Sequence, residues 1–320
     1  MNPPARMDDL AGLQSLLAEH LPWSPRDFVE GISRRGDRAL YAEQLTTPIA
    51  AADDLRFVHH LPDGQQLALF AQCLPWDSEF FGYGVARLNG IFPMAEPWHS
   101  PKSDYRPAVE ELLRLAAARD VQYLFATVDP RDLATIRALG EAGFTLLETR
   151  FFHYGRITAP DLEQRLPVRQ ALESDIPSLA RAARETINPF DRFHADPFID
   201  PDAVGRLMEA WVVESVEGRM ADVVIVPDVP EPEAFVTYRY HREHWARWRL
   251  RLVQGVLSAV SSRFAGWMGK LGPEVDHHLL GIGAETAFGS TQVTNRPIIF
   301  FAQEGGARFG RCEHVFRKLI

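Results

Sequence analysis

The sequence is short of cysteine and of long apolar runs, and each shortage excludes a class of protein. Its two cysteines, Cys73 and Cys312, are too few and too far apart for a disulfide framework or a metal-binding knuckle. We therefore expect buried free thiols in a reducing compartment. No stretch reaches the ~18 apolar residues of a membrane-spanning helix, and the acidic N-terminal stretch lacks the apolar core of a secretory signal. These features predict a cytoplasmic protein with no membrane partner.

Positive charge is also in short supply. The chain has 34 lysines and arginines against 43 aspartates and glutamates, which gives a net charge of −9 at pH 7. A nucleic-acid surface needs clustered basic side chains to replace phosphate counterions, so we expect no nucleic-acid partner. Apolar residues, in contrast, make up 46% of the 320 positions, enough for two domains with sizeable cores.

The order of the predicted elements indicates an α/β (α+β) fold in two parts. Residues 1–70 begin with leucines at helical spacing and include a hairpin turn at residues 62–64. From Trp76 onwards, predicted strands and helices alternate. Polar residues and two prolines interrupt this pattern at residues 157–167, and we place a domain boundary between residues 160 and 161.

Two stretches share one pattern of predicted elements. Residues 123–154 ("YLFATVDPRDLATIRALGEAGFTLLETRFFHY") and residues 287–318 ("AFGSTQVTNRPIIFFAQEGGARFGRCEHVFRK") each predict a strand, a helix and a strand. A weak internal duplication explains this similarity, and so does chance resemblance between two generic strand-helix-strand units. Both interpretations stay open.

A strand-to-helix turn is the most informative stretch. In "LSAVSSRFAGWMGKL", residues 257–271, an apolar strand runs into a turn through Ser261, Arg263 and Gly266, and a helix follows. Backbone N–H groups at the positive end of a helix can bind a pyrophosphate, and Arg263 adds a positive charge. Because many such turns contain a glycine and an arginine, the pattern alone predicts only an anion site.

Further along the chain, a second strand ends at Asn295 and another helix follows. This order resembles the GNAT superfamily of acyl-CoA-dependent N-acyltransferases, whose acyl-CoA loop has Arg or Gln, two residues, Gly, one residue, then Gly or Ala. Arg263, Gly266 and Met268 take these positions, with Leu271 at the expected helical contact. Met268 departs from the usual small residue.

The resemblance implies a fold and a cofactor. The fold is a mixed central sheet in which two parallel strands splay apart to admit the pantetheine arm of acyl-CoA. This domain would occupy residues 161–320, after a smaller α/β domain at 1–160 for which a degenerate GNAT-like half is one interpretation. Acyl-CoA is the implied co-substrate, and no metal is expected. The implied acyl-CoA-binding residues are Ala259, Val260, Arg263, Phe264, Ala265, Gly266, Trp267, Met268, Asn295 and Phe301.

Four stretches narrow the resemblance to TDP-fucosamine acetyltransferase and related sugar-nucleotide N-acyltransferases, over roughly residues 74–320. They are "LPWDSEFFGYGVARL", "NPFDRFHADPFID", "GRLMEAWVVESVEG" and "TQVTNRPIIFFAQEGGA". The resemblance implies acyl transfer from CoA to the amine of a dTDP-linked amino-dideoxyhexose in bacterial glycan biosynthesis. Two alternatives stay open: transfer to another small amine or a protein amine, and a non-catalytic acyl-CoA-binding module. A homodimer is a further open expectation.

Acyl transfer to an amine needs a group that takes up the amine proton. Histidine titrates near neutrality, so we predict His194 as the catalytic base, with Asp191, Arg192 and Phe193 as substrate-binding neighbours. A polar loop that merely shapes or solvates the sugar pocket is the alternative.

Asn295 and the helix after it raise two further questions. Asn295 would bind the pantetheine arm or a bridging water, although asparagine is also a common helix cap. In the resembling enzymes a tyrosine often follows seven residues later, beside the thioester sulfur, and here that position is Ala302. Another group or water then protonates the thiolate, the thiolate leaves unassisted, or the small side chain leaves room for an acyl group longer than acetyl.

Two histidine-containing clusters lie outside this scheme. In "HREHWARWR", His241 and His244 suggest metal binding or base stacking, but we expect extended strands around a turn with no third ligand nearby. A polar strand face or an interface is therefore the favoured interpretation. Residues 276–278, "DHH", are predicted to form an exposed face of a helix.

Overall fold

A computed structural model describes residues 10–95, 103–159 and 165–320, and the chain forms two compact units. The first unit runs to Phe28, continues over Arg34–Thr149 and ends with Cys312–Ile320. The second contains Val29–Ser33 and Arg150–Arg311. The predicted boundary between residues 160 and 161 lies outside the described residues, and separate roles for the two parts stay a prediction.

The described residues form alternating helices and strands, as the sequence predicts. The helices are α1 Leu10–His20, α2 Arg34–Thr46, α3 Pro75–Phe81, α4 Arg106–Ala117, α5 Leu133–Glu141, α6 Ile176–Glu185, α7 Pro201–Val216, α8 Trp245–Trp248, α9 Trp267–Gly281 and α10 Arg296–Glu304. The strands are β1 Phe57–His60, β2 Gln66–Cys73, β3 Gly84–Pro93, β4 Val121–Val128, β5 Thr145–Arg156, β6 Val168–Gln170, β7 Val223–Pro227, β8 Ala234–Arg239, β9 Leu252–Val260, β10 Thr286–Gln292 and β11 Arg308–Leu319. Among these helices, none is both long and apolar enough to cross a membrane.

The first unit is a mixed sheet with strand order β1-β2-β3-β4-β11. Strands β1 and β2 form the predicted antiparallel hairpin, and β3 and β4 are parallel. Apolar side chains of α4 and β4, among them Leu112 and Leu124, are fully buried in one cluster. Leu13 and Leu17 of α1 pack with Phe70 in a second cluster, which confirms the amphipathic N-terminal helix.

The second unit has strand order β5-β10-β9-β8-β7-β6. Its strands pair antiparallel except for β9 and β10. Helix α9 packs against this sheet through Leu271, Val275 and Leu279, which are buried with Val236 and Val253 in one apolar cluster. Leu271, which the resemblance places at a helical contact, is thus a buried residue of this cluster.

Strands β9 and β10 separate after a short parallel pairing. They pair only at Leu252↔Thr286, Val253↔Ala287 and Gln254↔Phe288, although β9 continues to Val260 and β10 to Gln292. The mixed, splayed sheet of the predicted fold is thereby confirmed.

A bulge in β9 accompanies the separation. The register against β8 shifts between Val236 and Tyr238. Thr237 compensates for the lost ladder bonds, because its hydroxyl accepts from the Leu257 N–H at 2.9 Å and donates to the Leu257 carbonyl at 3.1 Å. A bulge bends and twists the strand that carries it. It therefore helps to lead β9 away from β10.

Candidate functional site

The turn after β9 is built around one glycine. Ser262–Phe264 forms a single 3-10 turn, and Gly266 follows with φ +86° before α9 begins at Trp267. This left-handed backbone conformation costs little only for glycine. The sequence therefore permits the chain to pass abruptly from the end of β9 into the start of α9.

The start of α9 has the features of an anion site. The first N–H groups of a helix have no partner within the helix and lie at its positive end. Gly266 supplies no side-chain cap to them. A Cβ built at Gly266 or at Gly269 has no atom within 4 Å, so this side of the turn is open. Trp267 and Met268, both predicted to bind acyl-CoA, belong to this first turn.

Glu233 holds the same turn in place through hydrogen bonds. Glu233 is 2% exposed, and its carboxylate accepts hydrogen bonds from Arg181 Nη2 at 2.9 Å, Arg263 Nη1 at 2.8 Å and Ser261 Oγ at 2.8 Å. The bonds from Arg181 and then Ser261 hold the pKa of Glu233 below its usual range. Arg263 thus bonds to Glu233 as well as bringing positive charge to the turn.

The N–H group of Val260, one of the implied acyl-CoA-binding residues, lies on the open edge of β9. The N–H groups of Leu257 and Ser261 both point towards β8, where they donate to Thr237 Oγ and to the Glu233 carbonyl, each at 2.9 Å. Because successive N–H groups of a strand alternate in direction, those of Ser258 and Val260 point to the opposite edge. That edge faces the separation between β9 and β10.

Asn295 stands at the N-cap position of α10, but its side chain does not cap the helix. Its Nδ2 donates to Thr291 Oγ1 at 2.8 Å, on the last turn of chain before the helix. The helix-cap interpretation is therefore wrong for the side chain. The amide instead forms part of a polar group at the end of β10.

Helix α10 approaches α9 at Phe301. A Cβ built at Gly272 would lie 2.6 Å from the tip of the Phe301 ring, so a larger residue there would force the ring to shift. Phe301 is half-buried, and Ala302 beside it is 9% exposed. The small side chain at position 302 is therefore directed into the packed side of α10.

The loop between α6 and α7 holds His194 in a hydrogen-bonded pair with Asp191. Nδ1 of His194 lies 2.6 Å from Oδ2 of Asp191, while Oδ1 of Asp191 accepts from the N–H groups of Phe193 and His194 at 2.8 and 3.0 Å. Both side chains are largely buried, at 14% and 16% exposure. The carboxylate fixes the ring through Nδ1, and Nε2 is the nitrogen that can serve a substrate.

The other two predicted substrate residues support this loop. Phe193 is buried and its ring meets that of Trp211 edge-on, with 5.5 Å between centroids. The Arg192 guanidinium lies 4.2 Å from the centroid of the Phe193 ring. Phe193 thus holds the loop against α7.

A hydrogen bond joins this loop to the end of β10. Asn188 Nδ2 donates to Gln292 Oε1 at 2.6 Å. Gln292 follows Thr291, the partner of Asn295. Sequence reasoning missed the roles of Asn188 and Gln292, because no local pattern pairs two residues so far apart. Each nevertheless lies within one of the stretches that carry the resemblance.

The two histidine-containing clusters differ from the predictions made for them. The segment between β8 and β9 forms a 3-10 turn at Arg242–His244 and the short helix α8, where extended strands were predicted. Glu243 lies close to both histidines, so the expectation of no third ligand nearby is wrong. The predicted exposed "DHH" face is also wrong: Asp276 is half-buried, and His278 Nε2 lies 2.7 Å from the Tyr240 hydroxyl.

The two cysteines behave as expected for free thiols. Cys73 and Cys312 are unbridged and half-buried. Burial raises the pKa of both thiols above the ordinary cysteine value. A raised pKa lowers the thiolate fraction, which is the opposite of the shift found in activated cysteines.

The sequence matches no family model and no curated protein. Solved structures do match the fold. A GCN5-related N-acetyltransferase from Sphaerobacter thermophilus is 12% identical, with a TM-score of 0.58 over 90% of this chain and 87% of that chain. A tandem GNAT protein from the clavulanic acid biosynthesis pathway is 13% identical, with a TM-score of 0.57 over 99% of this chain and 97% of that chain.

A third structure extends this likeness to a sugar-acting neighbour. It is a GCN5-related glucosamine N-acetyltransferase region in a fungal multi-domain GH3 β-N-acetylglucosaminidase, 13% identical, with a TM-score of 0.61. The match covers 97% of this chain and 37% of that chain. At these identities the likeness establishes architecture alone, and the chain has the GNAT fold.

Proposed function

We propose that the protein is an acyl-CoA-dependent N-acyltransferase. The observation that carries the proposal is the parting of β9 and β10 after Gln254↔Phe288, over the last residues of β9 that lead into the turn at Gly266. A gap between two parallel strands accepts an extended chain that can bond to a free strand edge. An anion-binding helix start at one end of that gap suits the pyrophosphate of CoA.

The turn at Gly266 would bind the pyrophosphate through backbone N–H groups. The N–H groups of Phe264 and Ala265 already donate to Ser261 and Ser262 carbonyls at 3.0 and 3.3 Å. The groups at the start of α9, from Gly266 to Met268, are therefore the donors we assign to the anion. Arg263 adds charge from the rim of the turn.

The free edge of β9 would bind and polarise the thioester. An N–H group directed at the carbonyl oxygen stabilises the negative charge that develops when an amine attacks. The N–H groups of Ser258 and Val260 have the required direction. Asn295, on the facing strand end, would bind the pantetheine arm or a water.

His194 would take the proton from the attacking amine. The amine nitrogen bonds to the thioester carbon, the carbon–sulfur bond breaks, and the proton passes to Nε2 of His194. Asp191 bonds to Nδ1 at 2.6 Å and so stabilises the imidazolium that forms. The loop's bond to Gln292 supports a position near the end of β10.

The leaving thiolate has no phenol at position 302. Water or another group would supply its proton, or the thiolate would leave unassisted, since a thiolate is far less basic than an alkoxide. Ala302 also leaves more room than a tyrosine. We therefore include acyl groups longer than acetyl, such as hydroxybutyryl, among the donors.

We assign the acceptor to nucleotide-linked amino sugars, with a dTDP-linked amino-dideoxyhexose as the leading class. The support is the order of the four stretches that resemble sugar-nucleotide N-acyltransferases, together with the fold shared with a glucosamine N-acetyltransferase region. Another small amine or a protein amine is the second candidate. A non-catalytic acyl-CoA-binding module is the third, favoured by the missing tyrosine.

Product mass distinguishes the three candidates. The full chain would be incubated with acetyl-, butyryl- and 3-hydroxybutyryl-CoA and a panel of amino sugar nucleotides, polyamines and amine-bearing antibiotics. An acylated sugar nucleotide supports the first candidate, and an acylated amine of another class supports the second. Tight acyl-CoA binding without product on any amine supports the third.

A further inference from the structure

Two histidines and a glutamate lie close together between β8 and β9, outside the residues assigned to acyl transfer. Glu243 Oε1 lies 3.4 Å from His244 Nε2 and 4.0 Å from His241 Nδ1. One ligand atom from each of the three side chains lies within 4.8 Å of the others. Ligand atoms around a tetrahedral zinc ion stand roughly 3.3 Å apart, given metal–ligand bonds of about 2.0 Å. Small side-chain rotations would therefore bring the three atoms around one ion.

We propose that His241, Glu243 and His244 bind one divalent transition-metal ion, with zinc the expected ion. Two imidazoles and one carboxylate are ligands that suit zinc. Three protein ligands leave a fourth position for water or for a donor atom of another molecule. The proposal does not rest on the proposed acyl transfer.

The hydrogen bond of His241 to Gln254 involves Nε2, so Nδ1 is the nitrogen that would bind the metal. Its Nε2 lies 2.9 Å from Gln254 Oε1. An amide oxygen only accepts, so Nε2 carries the hydrogen and Nδ1 keeps its lone pair. Nδ1 is the atom that faces Glu243. Histidines that bind metals commonly donate their other N–H to an oxygen in this way.

The backbone of His241 has a strained conformation. His241 has φ 55° and ψ 34°, the left-handed region that side chains other than glycine rarely adopt. Arg249, at the other end of the segment, has φ 53°. Strain of this kind persists where the surrounding structure enforces it, and it is commonest at functional sites.

Aromatic packing fixes both rings in position. Trp248 is fully buried, and its ring lies 5.7 Å from that of His241 and 5.2 Å from that of His244, measured between centroids. Phe288 stacks on His241 at 6.5 Å. Since packing already orders the imidazoles, binding of an ion needs little more than the rotation of Glu243, whose side chain is 58% exposed.

Metal titration of the full chain tests this assignment. Protein freed of metal with a chelator would be titrated with zinc in competition with a chromogenic chelator, and with cobalt to record visible absorption. We expect one tight equivalent per chain and a cobalt band of four-coordinate intensity. Glu243→Gln and His244→Asn should each weaken zinc binding at least tenfold, while the control His60→Asn, at the exposed last residue of β1, should leave it unchanged.

Thermal unfolding distinguishes a variant that has lost zinc binding from one that does not fold. An ion that binds only the folded chain raises the unfolding temperature, so saturating zinc should raise Tm in the wild type and in His60→Asn but not in Glu243→Gln. The exposed Glu243 side chain makes that variant the least disturbing. Zinc binding that survives both ligand substitutions, or a cobalt complex without the four-coordinate band, overturns the proposal.

Discussion

Nδ1 of His194 lies 2.6 Å from Oδ2 of Asp191, which fixes the imidazole with Nε2 as its remaining nitrogen. If this pair removes the amine proton, His194→Gln should lower kcat by about 100-fold or more, in the range of lost general-base catalysis. Asp191→Asn should lower kcat less, by about tenfold, because the base remains but loses its orienting charge. Steady-state kinetics with the identified amine measures both. Unchanged kcat in His194→Gln would leave the loop with a purely structural role, and His60→Gln is the control.

Gly266 has φ +86°, and alanine there should disturb the turn that we assign to the pyrophosphate. We expect Gly266→Ala to destabilise the fold by about 1–2 kcal/mol and to weaken CoA binding about tenfold. Gly281→Ala is the matched control, since Gly281 lies at the far end of α9 without a positive φ and with open space around its Cβ. Denaturant unfolding and calorimetric titration with CoA measure the two effects. Equal CoA affinity in the two variants would remove the turn from the binding site.

Gly272 and Phe301 bring α9 and α10 together, so their substitutions should not be additive. Gly272→Ala alone places a methyl group against the Phe301 ring and should destabilise the fold by about 1–3 kcal/mol. In a Phe301→Ala background the same change should cost less, because the ring is gone. A double-mutant cycle of unfolding free energies measures the difference. Strict additivity would contradict the close approach.

Asp276 should make stability fall as pH rises. Burial raises the pKa of Asp276 to about 6 from an ordinary value of 3.8. The folded chain therefore holds its proton more tightly than the unfolded chain, and the free energy of unfolding decreases from about pH 4 through about pH 6. Asp276→Asn should be as stable as the wild type near pH 4 and more stable at pH 7.5. Equal stability at both pH values would show that the carboxyl is not buried in the folded state.

Position 302 should influence the choice of acyl donor. We expect the wild type to use butyryl- and 3-hydroxybutyryl-CoA at least as well as acetyl-CoA. Ala302→Tyr should shift this preference towards acetyl by about tenfold, because the larger side chain occupies the space. Competition between donors, read by product mass, measures the ratio. A clear preference of the wild type for acetyl-CoA would contradict the proposal that Ala302 makes room for acyl groups longer than acetyl.

The elements with strong local signals could be predicted from the sequence. Helix α4, the β1-β2 hairpin and the turn at Gly266 follow from apolar periodicity and from residues with restricted backbone preferences. The segment between β8 and β9 was mispredicted as extended because its aromatic and basic residues alternate. Burial of Trp248 instead favours helical turns there, and the left-handed backbone at His241 and Arg249 turns the chain at the two ends of the segment.

Side-chain partners across long distances in the sequence could not be predicted. Nothing in the local pattern pairs Asn188 with Gln292 or Glu233 with Arg263, since these contacts depend on how the strands are ordered. Asn295 shows the same limit, because its position at a helix start predicts a cap while its nearest acceptor is Thr291. The residues of the turn at Gly266 could be predicted, but the contact of Glu233 that holds the turn in place could not.

Amine-dependent release of the CoA thiol tests the central claim most directly. The wild-type chain would be mixed with acyl-CoA and each amino sugar nucleotide, and free thiol would be measured beside the mass of the product. We predict thiol release equal to the amount of acylated amine, at a rate about 100-fold or more lower in His194→Gln. Tight acyl-CoA binding with no thiol released by any amine of the panel would contradict an acyltransferase.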